Sequence, residues 1–96
     1  SEDEAELMLR NDIDRSVKEC ENWYWFERQP DRVKRVLIEL CFQLGYPSLS
    51  NFNRMLSALS KEPSNYETAA AELLDSKFAR EQVPHRAKRL ADRLRG

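Results

Sequence analysis

The residues of this 96-residue chain that could do chemistry are few in kind: seventeen carboxylates, one histidine, two cysteines and the aromatic run Trp23-Tyr24-Trp25-Phe26. Cleaving a glycoside takes two carboxyl groups, one to protonate the leaving oxygen and one to activate water or attack. The acid of such a pair needs an apolar or shielded pocket that raises its pKa. Supply is ample, so placement decides. Most carboxylates, such as Asp75, fall on expected solvent faces beside basic partners. Glu39 is placed there too, yet it is the most interesting internal candidate, because it interrupts the apolar run Val36–Phe42. It reads either as an internal acid or as an exposed, ion-paired glutamate. His85 is the lone histidine; no nucleophile–His–acid triad can be argued from it, and a solvated ring is expected. The two glycines make no phosphate-cradling loop.

Cys20 and Cys41 belong to no C-x-x-C pair, and no His–Cys cluster is available for zinc. Both lie among apolar neighbours on expected helices. Two buried free thiols in a reducing compartment are expected, with a disulfide left open. No metal or other cofactor is expected. The aromatic run sits next to Glu27 and Arg28. It reads as a sugar-stacking platform, as packing of a loop onto the core, or as a partner interface.

The net charge of −1 hides an asymmetry. Glu2, Asp3, Glu4, Glu6, Asp12 and Asp14 crowd the start, while Lys77, Arg80, Arg86, Lys88, Arg89, Arg93 and Arg95 crowd the end. Solvated faces of opposite sign account for this, and so does a basic surface for an anionic polymer. Nucleic acid is an unfavoured partner, since the sequence pI is about 5.9 and the acidic start opposes it. Hydrophobic content of 41% with 34% charged residues is a soluble globular balance, enough for one modest core. No apolar run approaches the ~20 residues of a membrane span, so no membrane partner is expected.

These side chains need elements to position them, and the pattern predicts helices throughout, in a single domain over 1–96. Ser1-Glu2-Asp3-Glu4 is a capping box. Ala5, Leu9, Ile13, Val17, Cys20 and Tyr24 then recur at helical spacing, predicting a first helix to about Asn22 with these residues inward. Pro30 opens a second helix at its first turn. Val33, Val36, Leu37, Leu40, Cys41 and Leu44 form its broad apolar face, with Ile38 and Phe42 adding apolar surface opposite. A helix apolar nearly all round belongs at the centre of a domain. Gly45 is expected as its left-handed stop, with Pro47 preventing continuation. Ser48 or Ser50 would cap a third helix carrying Leu49, Phe52, Leu56 and Leu59, ended near Pro63. Ser64-Asn65-Tyr66-Glu67 is a second capping box, opening Tyr66–Asp75. A short turn follows at Ser76–Arg80, and Pro84 starts a last helix with Ala87, Leu90, Ala91 and Leu94 inward.

Three motifs in this order carry a resemblance. They are Phe42-Gln43-Leu44-Gly45, Ser76-Lys77-Phe78 and Pro84-His85-Arg86-Ala87-Lys88-Arg89. Together they resemble the C-terminal, larger lobe of phage-type lysozymes, the muramidases of glycoside hydrolase family 24. The resemblance covers nearly the whole chain. Glu19–Pro30 has no close counterpart in that family, and Phe78 stands where it often has tryptophan. Met55 and Glu72 stand where relatives have small or amide side chains that touch substrate.

The resemblance implies an all-α domain around a buried central helix and a role in contacting peptidoglycan. It implies that the catalytic carboxylates belong to an N-terminal lobe missing from this chain, so the chain itself supplies no catalytic residue. Phe42 and Gln43 would line the cleft wall, Ser76 and Lys77 would contact the peptide stem, and Arg86 would face the catalytic acid. It also implies residence in host cytoplasm before release, then action at the bacterial cell wall. Each residue has a plainer reading: Phe42 as core, Gln43 bonded to backbone at a helix end, Ser76 as the cap of the short turn. A different class remains open as well. In it the chain is a helical protein-interaction module that keeps the lysozyme fold, with Trp23, Trp25 and Phe26 as its contact patch.

Overall fold

The computed structural model describes the backbone of residues 2–96 and the side chains of 10–81 and 83–96. α2 (Asp31–Leu44) presents a continuous buried face, and the reason is compositional. Val33, Val36, Leu37, Leu40 and Cys41 share one side of the helix, and all five are buried. Each fully buried Val or Leu contributes about 1.5–3 kcal/mol of burial free energy, which fixes this face inward. Pro30 is the N-cap of α2, one residue outside the first turn expected for it. Its carbonyl accepts from the amides of Val33 and Lys34 at 3.0 and 3.1 Å.

Gly45 ends α2 with φ 85° and donates its amide to the Cys41 carbonyl at 2.8 Å. A side chain would be strained at that φ, which explains the glycine. Its ψ of 152° differs from the left-handed helical stop expected, so the chain leaves α2 extended. A new helix, α3 (Tyr46–Ser50), begins at once. Pro47 sits in its first turn, so Pro47 opens a helix here. The expected third helix is therefore two pieces, α3 and α4 (Asn53–Ser60), joined through Asn51 and Phe52. Neither Ser48 nor Ser50 caps α4. The Ser50 hydroxyl instead donates to the Tyr46 carbonyl at 2.8 Å, a local bond that competes with capping. Leu49, Met55, Ala58 and Leu59 are buried, while Phe52 and Leu56 are half-buried.

α5 (Tyr66–Leu74) is capped by Asn65, whose side-chain oxygen accepts from the Thr68 amide at 3.0 Å. Ser64, expected in that role, is engaged elsewhere: its hydroxyl donates to the Leu59 carbonyl at 2.6 Å. The chain then makes a π-helical turn at Phe78–Gln82, closed by the Val83 amide on the Phe78 carbonyl at 3.1 Å. Pro84 begins α6 (Pro84–Arg95), and Ala87, Leu90, Ala91 and Leu94 are all buried as the spacing predicts. Among the described residues there is no strand, so the domain is all-α.

α1 (Glu2–Cys20) departs most from expectation. The Ser1–Glu4 capping box and the inward placement of Ala5 and Leu9 lie outside the described residues. Of the remaining apolar stripe, Cys20 is buried and Val17 half-buried, but Ile13 is 40% exposed and Tyr24 83% exposed. The helix ends two residues before Asn22, and successive turns follow to Gln29. Helical phase is lost at Cys20, so Tyr24 does not inherit the inward direction. Ser16 is buried instead, its hydroxyl donating to the Asp12 carbonyl at 3.1 Å.

The turns of 21–30 are pinned by Gln29. Its side chain, 4% exposed as a residue, donates to the Leu59 carbonyl at 3.0 Å and to Ser64 Oγ at 3.2 Å. It also accepts from the Tyr66 hydroxyl at 3.0 Å. One buried amide thus ties this segment to the end of α4 and the start of α5.

Candidate functional site

The end of α2, the start of α4 and the segment after α5 converge on an open groove of about 620 Å³. Leu44, Phe52, Met55 and Phe78 give it an apolar lining, and Asn53, Arg54, Glu72, Asp75, Ser76 and Lys77 a polar one. Each position has a local cause. Leu44 is the last residue of α2, and Phe52 is the N-cap of α4, which brings Asn53, Arg54 and Met55 into its first turn. Ser76 is fixed twice, donating to the Leu73 carbonyl at 2.6 Å and accepting from the Ala79 amide at 3.2 Å. It therefore caps the short turn while lining the groove. Lys77 is exposed and within 3.8 Å of Glu81, and Asp75 lies 3.9 Å from Arg80. Both are exposed pairs of the kind worth little in stability, so these charges are free to exchange partners.

Ser76 and Lys77 thus share one groove, and Phe42 does not share it. Phe42, at 42% exposed, lines a smaller depression of about 370 Å³ with Asp12, Glu19 and Tyr46, between α1 and the end of α2. Its reading as core is corrected, because α2 turns position 42 away from the Val33–Cys41 face. Gln43 is exposed at the end of α2 and makes no side-chain hydrogen bond among the described residues, so it is not a backbone-bonded helix-end residue. Arg86 is exposed in the first turn of α6 and has no ion-pair partner among the described residues. Gln43 and Arg86 line neither depression.

Glu39 is half-buried and held by Arg89 at 2.9 Å. Of its two readings, the ion-paired glutamate is the one observed. His85 is exposed, as expected.

Cys20 and Cys41 are buried free thiols. Burial, then the neighbouring Cys41 and nearby carboxylates, pushes the Cys20 thiol well up from its ordinary value. Burial also raises Cys41, against hydrogen bonds with Ser16 and Cys20 that lower it. A thiol acts as nucleophile or metal ligand only as thiolate, so neither is poised for such chemistry. Among the described residues no group of His, Cys, Asp and Glu could hold a metal ion.

The aromatic run resolves mostly into packing. Trp25 and Phe26 are buried, and Trp23 stacks on Trp25 with ring centroids 5.3 Å apart and planes at 7°. Trp23 also meets Tyr46 at 5.5 Å. This corrects the patch of Trp23, Trp25 and Phe26 expected for an interaction module, because the two buried rings cannot meet a partner. Only Tyr24 presents a largely free ring, with Arg28 6.0 Å from its centroid. Sequence reasoning placed no function on Asn51, Asn53 or Arg54. The signal was the short break between α3 and α4, which gathers polar residues where the main chain must turn.

Compared with protein-family models, with curated proteins and with solved structures, the chain matches none. What is established is an all-α domain with an amphipathic groove at Leu44, Met55 and Ser76–Phe78.

Proposed function

We propose that this chain is the C-terminal, peptidoglycan-contacting lobe of a phage-type lysozyme, a muramidase hydrolysing the β-1,4 bond between N-acetylmuramic acid and N-acetylglucosamine. One observation carries the reading. Two of the three motifs behind the resemblance, Phe42–Gly45 and Ser76–Phe78, are distant in sequence yet meet at one groove through Leu44, Ser76, Lys77 and Phe78. The lining suits the ligand class. Apolar side chains can lie against sugar ring faces, while two amides, two hydroxyls and two cations can engage the acetamido groups and carboxylates of a peptide stem.

Catalysis would come from elsewhere. A glycosidase needs two carboxyls across the scissile bond, and the lysozyme lobe that carries them is distinct from this one. Ser76 and Lys77 would hold the peptide stem beside Leu44 and Phe78, and Arg86, exposed and without an ion-pair partner among the described residues, would face the acid of the partner lobe. The protein would stay in host cytoplasm until release, then act at the bacterial wall.

The test has two arms. The chain is mixed with outer-membrane-stripped bacteria beside an intact phage lysozyme, and turbidity is followed. No clearing by the chain alone is expected. Purified peptidoglycan is then pelleted with the chain, where co-sedimentation reduced by Lys77→Glu is expected. Clearing that disappears in Glu39→Gln would contradict the assignment of catalysis to another lobe. Absence of co-sedimentation would remove the wall-binding reading itself.

A further inference from the structure

The outward edge of α6 carries charge that the fold does not absorb. Where α6 lies against the start of α2, Arg32, His85, Lys88, Arg89, Asp92 and Arg93 line a groove of about 640 Å³. Glu39 neutralises Arg89 at 2.9 Å, and Asp92 is already taken by Arg95 at 3.5 Å. Arg32, Lys88 and Arg93 have no ion-pair partner among the described residues. Like charges gathered in one concavity repel, so this arrangement is unfavourable unless an anion joins it.

Arg32 is also held in place. Its guanidinium carbon lies 4.9 Å from the Tyr66 ring centroid, and its Nε is buried with no hydrogen-bond acceptor. An unsatisfied buried donor is costly, and a pre-positioned guanidinium loses little freedom when it binds an anion. On α6, His85, Arg89 and Arg93 recur every fourth residue, a repeat of about 6 Å along the helix axis. Packing does not require them, because Ala87, Leu90, Ala91 and Leu94 make the buried face.

We propose that this groove binds a phosphodiester-linked polyol chain, with Arg32, Lys88 and Arg93 each contacting a phosphate. A small anion would engage one or two of these cations and leave the rest unpaired, whereas a linear polyanion engages all three. Guanidinium forks and ammonium groups both suit phosphate oxygens. Nucleic acid fits less well, because base binding draws on broad aromatic faces, and the groove offers only the single imidazole of His85 and no Phe, Tyr or Trp ring. The nearest such ring, Tyr66, has Arg32 over its face. That such a polymer belongs to a bacterial wall rests on the wall-contacting reading above; the groove does not, and it shares no lining residue with the groove at Ser76 and Lys77.

The test is fluorescence anisotropy with labelled poly(glycerol phosphate) titrated by the purified chain at low salt. Binding is expected, with log affinity falling linearly as log salt rises. Lys88→Glu and Arg93→Glu should each weaken it by about fivefold or more, as loss of a phosphate contact does. Lys61→Glu, on the loop after α4, should change it less than about twofold. Circular dichroism establishes that each variant is folded. No binding, or affinity unchanged in both groove variants, overturns the proposal. So does equal or tighter binding of an oligothymidylate of matched charge. Binding of this polymer without co-sedimentation on peptidoglycan would sink the lysozyme reading and leave this site standing; the opposite pair of results would do the reverse.

Discussion

α1 and α2 are both long helices with an apolar stripe in their sequences, yet they use it differently. On the apolar face of α2, Val33, Val36, Leu37, Leu40 and Cys41 are buried and Leu44 is half-buried, whereas α1 leaves Ile13 exposed and Val17 half-buried and instead buries Ser16 and Cys20. Periodicity alone does not place a helix at the centre of a core. The number of elements available to cover it does. α2 packs against α1, α3 and α6, while α1 packs against α2 and α3. α1 is an edge helix with apolar surface to spare, and α2 is covered by three neighbouring helices.

The sharpest way to break this comparison is to truncate α2. Leu37→Ala and Leu40→Ala should each cost about 2–5 kcal/mol, read by urea denaturation, because both are fully buried. Losses below about 1 kcal/mol at both sites would mean that α2 is not central. Ile13→Ala on α1 should fall within about 0.5 kcal/mol of the parent.

Next in size is the amide that pins the segment between the two helices. Gln29→Leu should cost about 1–3 kcal/mol, since it leaves the Leu59 carbonyl and the Tyr66 hydroxyl without that partner. Gln29→Glu should do no better, because a carboxylate oxygen cannot donate to the Leu59 carbonyl and repels it instead. A neutral result for Gln29→Leu would show that aromatic packing of Trp25 and Phe26 holds the segment alone.

The α1–α2 contact also has a pH signature. Both thiols are held protonated in the fold, their pKa raised by burial above the ordinary 9.0. In the unfolded chain they ionise above that value. Their contribution is therefore complete below about pH 9 and is lost as pH rises beyond it. Thermal midpoints measured upward from neutral pH should fall more steeply in the parent than in Cys20→Ala. Parallel curves would show that other groups govern the alkaline limb.

The smallest expected effect concerns Arg86. A cation in the first turn of α6 opposes the helix dipole and has no ion-pair partner among the described residues. Arg86→Glu should leave the melting temperature unchanged or slightly higher. A marked fall would make Arg86 a structural partner instead.

Much of this was legible in the sequence. The buried faces of α2 and α6 follow from spacing of Val, Leu and Ala alone. Gly45 and Pro84 mark real boundaries because glycine at positive φ and proline at a first turn have steric causes confined to one residue. Other features depend on choices among near-equal neighbours. Ser64 and Asn65 are both good caps, and tertiary bonding of Ser64 to Leu59 and Gln29 decides in favour of Asn65. The split between α3 and α4 and the outward turn of Tyr24 arise where helical phase resets, which periodicity does not report. At the site, Ser76 and Lys77 were named from a resemblance and lie in one groove, while Phe42 lies in another depression. Met55 and Glu72, named from the same resemblance, line that groove too, while Arg54 joins it only through the folding of distant segments.

The central claim is that the groove at Leu44, Met55 and Ser76–Phe78 receives a piece of cell wall. Amide chemical shifts of the labelled chain, followed while a soluble disaccharide-peptide fragment of peptidoglycan is added, test it most directly. The account expects saturable shifts at Gln43, Leu44, Ser76 and Lys77, weakened by Lys77→Glu. Shifts confined to the Phe42–Tyr46 depression or the α6 edge, or none at saturating fragment, would contradict it.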